Sequence, residues 1–131
     1  MIGPSIHIDG DVRGEEDLVI QGKVEGTIEL GKNEVTVGES GKVAADINAK
    51  TVRIDAGGGR QDDDWTDEQF EAIVTRYQEY AQRAYDNGYK IGPENHWGAE
   101  AVPGPLKRLC EAVDHPAFGV LLHAGRWRGP D

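Results

Sequence analysis

Asp17-Leu18-Val19-Ile20, Glu34-Val35-Thr36-Val37 and Thr51-Val52-Arg53-Ile54 repeat one pattern, and the step from Leu18 to Val35 to Val52 is 17 residues each time. Ile20, Val37 and Ile54 keep the same spacing. A fixed period of this length predicts a solenoid in which like residues stack above like. Leu18, Val35 and Val52 then form one internal ladder, and Ile20, Val37 and Ile54 a second.

Between these stretches, apolar and polar residues alternate, as in Val24-Glu25-Gly26-Thr27-Ile28 and Val43-Ala44-Ala45-Asp46-Ile47. A period of two describes short strands with one face inward. Glycines at 10, 14, 22, 26, 31, 38 and 41 fall where coils turn or where backbones approach closely. His7 alternates outward between Ile6 and Ile8 and reads as surface.

The pattern changes beyond Ile54. All nine aromatic residues lie between Trp65 and Trp127, so the N-terminal part must build its core from aliphatic residues alone. Thr66 with Gln69 three residues on has capping-box spacing. Phe70, Ile73, Val74, Tyr77, Tyr80, Ala81, Ala84 and Tyr85 then recur at helical intervals up to Gly88. Lys90-Ile91-Gly92-Pro93-Glu94-Asn95-His96-Trp97 reads as a strand running into a loop, Pro105 to Val113 as a short helix that packs Cys110, and Phe118 to His123 as a buried strand. That order predicts parallel β-α-β-α-β pairing, with Val52 to Ile54 as its first strand.

Residues 1–55 hold 6 Lys/Arg against 11 Asp/Glu, a balance of −5, and the whole chain carries −10. Nucleic-acid binding draws on clustered cations, which neither part has. No apolar run reaches the length of a membrane span, and the start lacks the features of a signal peptide. A cytoplasmic location is the expectation, and the single Cys110 agrees with it.

Ser5-Ile6-His7-Ile8-Asp9-Gly10-Asp11-Val12-Arg13-Gly14, Asp17 to Ile28, and Val37-Gly38-Glu39-Ser40-Gly41-Lys42-Val43 resemble successive turns of the bactofilins, the polymer-forming cytoskeletal proteins of bacteria. The resemblance spans about residues 4 to 55. It implies a right-handed β-helix that assembles end to end into nucleotide-free filaments, with itself as partner, no catalytic residues and no cofactor. Only about three turns are present, roughly half of what the resemblance implies.

Glu94-Asn95-His96-Trp97-Gly98 and Asp114-His115-Pro116-Ala117-Phe118-Gly119-Val120-Leu121-Leu122 followed by Gly125 resemble the sugar phosphate isomerase/epimerase family, whose fold is a xylose isomerase-like TIM barrel. This second likeness covers about residues 52 to 131. It implies that Glu94 is catalytic and ligates a divalent cation, Mn²⁺, Mg²⁺ or Co²⁺. His96, two residues on, shares its side of a strand. His123 stands where the family has a further Asp ligand.

The expected organisation is therefore mixed β and α/β: a truncated β-helix over 1–55, then a partial TIM-barrel-like segment over 56–131. The expected function is a self-assembling, nucleotide-independent scaffold. The alternative is a metal-dependent sugar phosphate isomerase/epimerase fragment that is inactive alone, because about three βα units cannot close an eight-stranded barrel. Gly57-Gly58-Gly59 reads as a joint, Asp62-Asp63-Asp64 as a solvated turn, and Trp65, Trp97 and Trp127 as core residues rather than a sugar platform.

Overall fold

The computed structural model describes residues 1–56, 64–96 and 98–123. The glycine joint at 57–59, Asp62, Asp63, Trp97, Gly125 and Trp127 lie outside the described residues.

Strands β1 (His7–Arg13), β2 (Leu18–Ile20), β3 (Lys23–Glu29), β4 (Glu34–Val37), β5 (Lys42–Asn48) and β6 (Thr51–Ile54) follow one another along the chain. They alternate between two parallel sheets. The first sheet has the order β1-β3-β5, and the second contains β2-β4-β6. Each coil thus contributes one strand to each sheet, an arrangement compatible with a β-helix.

In the second sheet Leu18 pairs with Val35, Val35 with Val52, Ile20 with Val37 and Val37 with Ile54. In the first sheet the register runs Ile8, Val24, Val43 and Val12, Ile28, Ile47. The steps there are 16 and then 19 residues, His7 to Lys23 to Lys42, so the 17-residue period belongs to one sheet only. Loop length absorbs the difference, because register is held by inward side chains and a slip of one would turn them all outward. Ile20, Val24 and Val35 are fully buried.

Gly26 meets a special demand. Its φ is +123°, and a Cβ there would stand 2.1 Å from the Gly10 carbonyl oxygen, so only glycine lets these coils stack. Ile2 forms one more parallel bridge, to Ile20, and covers the start of the second sheet.

Helix α1 (Asp67–Asn87) begins at Thr66, whose side chain accepts from Gln69 N while the Gln69 side chain accepts from Thr66 N, and it ends at Gly88 in the left-handed conformation. It buries Tyr77, Ala81 and Ala84. Strand β7 (Lys90–Gly92) then pairs in parallel with β6, extending the second sheet to β2-β4-β6-β7. A 3₁₀ turn (Gly98–Ala101) leads to helix α2 (Pro103–Val113), which buries Leu106, Leu109 and Val113 and leaves Cys110 partly covered.

Ala81, Ala84, Tyr89 and Ile91 join the same apolar cluster as Ile20, Val35 and Val52, with Tyr80, Val43, Ala45 and Ile47 packed against it. A second cluster unites Trp65, Tyr77 and the buried face of α2.

Two expectations change. The predicted buried strand at Phe118 to His123 is reduced to two isolated parallel bridges, Ile91 to Phe118 and Glu94 to Leu121, with Leu122 67% exposed. Among the described residues no further strand flanks it. The β6-α1-β7 unit is parallel as predicted, yet its sheet continues into the stacked coils rather than curling on itself. Among the described residues no barrel closes, and the TIM-barrel reading gains no support.

Candidate functional site

Two places bring chemistry-bearing groups together: the free strand edges of the coil stack, and a polar cluster where the stack meets the C-terminal segment.

At the stack's start, β1 pairs among the described residues on its β3 side alone, leaving a seven-residue edge. Its inward Ile8 and Val12 are half-buried, and Ile6 beside them is 49% exposed. Outward, His7 contacts Glu25 at 3.1 Å, Asp11 accepts from the Thr27 hydroxyl, and Arg13 pairs with Glu29 at 3.1 Å. These rungs lie on water, where each contributes little. They hold β1 in register on β3.

The polar cluster grows from alternation along β6. Val52 and Ile54 point inward, so Arg53 points out, and the next outward residue is Asp55. Arg53 Nη2 donates to Asp55 Oδ2 at 2.9 Å, and its Nη1 lies 2.5 Å from Glu94 Oε2. Glu94 follows β7, is 6% exposed, and its backbone N–H donates to Asp55 Oδ1 at 3.1 Å. Its other oxygen, Oε1, lies 2.7 Å from His123 Nδ1 and 3.8 Å from His96 Nδ1. Asn95, fully buried, ties the same segment down: its Nδ2 donates to His123 O at 3.0 Å and its Oδ1 accepts from His123 N.

Burial opposes the charge on Arg53, but the hydrogen bond to Asp55 and the charges of Asp55 and Glu94 raise its pKa further above the usual arginine range. Glu100, 2% exposed on the 3₁₀ turn, accepts from Ala56 N. Burial pushes its pKa up to about 8; the Asp55 charge pushes the same way, while the Ala56 bond and Arg53 oppose it. Tyr77, buried under the same charges, donates its hydroxyl to Ile54 O at 2.6 Å and titrates well above the ordinary tyrosine value.

The fold thus brings Glu94, His96 and His123 together, although they are 29 residues apart at the extremes. The set does not fit a divalent cation, because the position a metal would take against Glu94 is filled by the Arg53 guanidinium on one oxygen and His123 on the other. Among the described residues no group of three His, Cys, Asp or Glu is arranged to hold a metal ion. Sequence reasoning missed Arg53, Asp55 and Glu100. The alternation of β6 was a signal for Arg53 and Asp55; Glu100 carried none, since its burial depends on the 3₁₀ turn docking at Ala56.

Residues 1–63 match the family model described as "Bactofilin: Polymer-forming cytoskeletal". They carry a bactofilin domain. Among curated proteins, the chain is 54% identical over 54 residues to the bactofilin BacO of Myxococcus xanthus (strain DK1622), covering 41% of this chain and 42% of BacO. It is 50% identical over 52 residues to bactofilin BacN of the same organism, covering 40% of this chain and 45% of that one. Bactofilin BacP is 42% identical over 54 residues, which is 22% of its length. The chain thus spans less than half the length of these relatives. No solved structure matches it. The bactofilin match includes all six strands of the coil stack and reaches the start of the segment that leads to α1.

Proposed function

We propose that this chain is a component of a cytoskeletal scaffold that self-associates without nucleotide, through strand edges at the end of a right-handed β-helix, in the cytoplasm. Residues 1–55 are the assembling part, and α1 and β7 pack on one end of it. The observation that carries this reading is the seven-residue β1 edge, unpaired on one side, with half-buried Ile8 and Val12 behind it. An unpaired edge over an open apolar ladder is a template for another chain. The bactofilin match supplies the context of self-assembly. Sedimentation velocity of the full chain across a hundredfold concentration range tests it. Species larger than a monomer, unchanged by ATP or GTP, are expected; a monomer throughout overturns the proposal.

The alternative, an isomerase/epimerase fragment acting on a sugar phosphate through Mn²⁺, Mg²⁺ or Co²⁺, would need Glu94, His96 and His123 to hold the ion, and their arrangement does not fit one. The Arg53 contact to Glu94 stands against it. If that reading were right, millimolar Mn²⁺ would raise the melting temperature and Glu94→Ala would abolish the rise. An unchanged melt is expected.

A further inference from the structure

Helix α1 lies against β5 without filling the inner face of that strand. Val43, Ala45 and Ile47 point inward, yet α1 covers them in part and they stay half-buried. Ala45 keeps the middle shallow, since it continues a row of small residues across the first sheet, Gly10 on Gly26 on Ala45. A cleft of about 340 Å³ remains between β5 and α1, lined by buried Val37, Val52 and Ile91 and by half-buried Val43, Ile47 and Tyr80. That volume is within the range of pockets that hold small molecules.

The charge around this cleft has one sign. Lys42, Arg76 and Arg83 border it and no Asp or Glu does, in a chain whose net charge is −10. Arg76, Tyr80 and Arg83 follow helical spacing on α1, so they share its β5 side. The three cations are exposed, and among the described residues none forms an ion pair or a side-chain hydrogen bond. Asp55, which shares a smaller cleft with Arg76, is held by Arg53. Asp46, whose charge reaches Tyr89, lies on the outward face of β5. A cleft of similar size beside β7 differs in this respect. Its Arg53 is paired with Asp55 and Glu94, its Lys90 donates to Pro116 O, and Glu34 adds an anion.

We propose that the cleft between β5 and α1 binds a carboxylate with a single aliphatic tail, the tail on the apolar lining and the carboxylate at Arg76 and Arg83. This goes beyond the self-association proposed above and does not depend on it. A chiefly aliphatic lining selects a tail by burial, which contributes in proportion to tail length. Guanidinium groups at the mouth select the head, because they meet a carboxylate with paired hydrogen bonds and repel a cation.

Isothermal titration calorimetry of the full chain with octanoate, decanoate and decyltrimethylammonium tests the site. Decanoate should bind once per chain and roughly tenfold tighter than octanoate, because two more methylenes are buried. Decyltrimethylammonium, with the same tail and the opposite charge, should not bind. Arg76→Gln combined with Arg83→Gln changes exposed side chains, so the fold should persist while decanoate binding weakens roughly tenfold. Ala45→Leu fills the cleft and should abolish binding with both arginines in place. No saturable binding of decanoate, or equal binding of the two head groups, would overturn the proposal. Binding lost with Ala45→Leu but untouched by the arginine substitutions would overturn the choice of an anion. Binding that survives every substitution would place the tail on exposed apolar surface such as Leu122 and would overturn the site.

Discussion

Arg53 holds Glu94 at 2.5 Å, and through that contact the last coil of the stack is fastened to the loop that follows β7. The guanidinium stands between two carboxylates, since Asp55 takes its other face. Part of the cluster comes from the repeat and part from the segment that packs on it.

The two ends of this ion triad are not equal in their consequences. Arg53→Ala leaves Asp55 and Glu94 facing each other with little water, and should cost about 3–5 kcal/mol. Glu94→Gln leaves Arg53 paired to Asp55 and should cost about 1–2 kcal/mol. Urea unfolding of both variants checks the order. Equal losses would show that Asp55 contributes nothing to holding Arg53.

Glu100 makes stability fall as the pH rises. Its folded pKa of about 8 lies above the ordinary glutamate value of 4.5. Between those values the folded chain binds a proton that the unfolded chain releases, so the contribution of the neutral carboxyl is complete below the lower value and lost through the higher. The melting temperature should drop between pH 5 and pH 9, and Glu100→Gln should flatten that slope. A wild-type slope that the variant leaves untouched would place the titration elsewhere.

Gly26→Ala sets a Cβ against the Gly10 carbonyl in a backbone conformation that alanine resists. A loss of about 2–4 kcal/mol is expected from strain and displaced coils. Gly104→Ala in the first turn of α2 meets no atom of another segment within 4 Å, but the Pro105 ring that follows opposes a Cβ on a helical residue, so the change should stay within about 0.5 kcal/mol of neutral. Thermal melts of the pair separate a glycine that stacking demands from one that it merely tolerates.

Thr66→Ala removes the acceptor for Gln69 N at the start of α1 and should cost about 1 kcal/mol. Because α1 shares its apolar cluster with the coils, the loss should appear in one cooperative transition. A separate early transition of the helical part would show that the two parts unfold independently.

Much of the coil stack was legible because its information is local. Alternation along β3 and β5, and the 17-residue step from Leu18 to Val35 to Val52, follow from which side chains can share a dry interior. The same holds for the ends of α1, where Thr66, Gln69 and Gly88 satisfy backbone groups within a turn of themselves. The steps of 16 and 19 in the first sheet were not legible, since loop lengths absorb any difference that keeps the inward residues inward.

The polar cluster was half legible. Glu94 and His96 stood out as chemistry-bearing types at strand spacing, and His123 by its place in a likeness. Their partner Arg53 sits inside the repeat, where nothing in its spacing points to Glu94. Phe118 to His123 misled for a related reason: an apolar run announces burial, but burial needs a neighbour on the far side, and among the described residues two isolated bridges hold it.

The amino-acid sequence by itself determined the strands, their inward faces and the helix caps, because these depend on periodicity and on contacts a few residues long. Only the tertiary structure decided that β7 continues the second sheet and that α1 lies against β5. Those outcomes depend on whether Ile91, Tyr80 and Ala84 bury more apolar surface on the end of the coils than on one another. Such a competition between distant surfaces leaves no trace in local spacing.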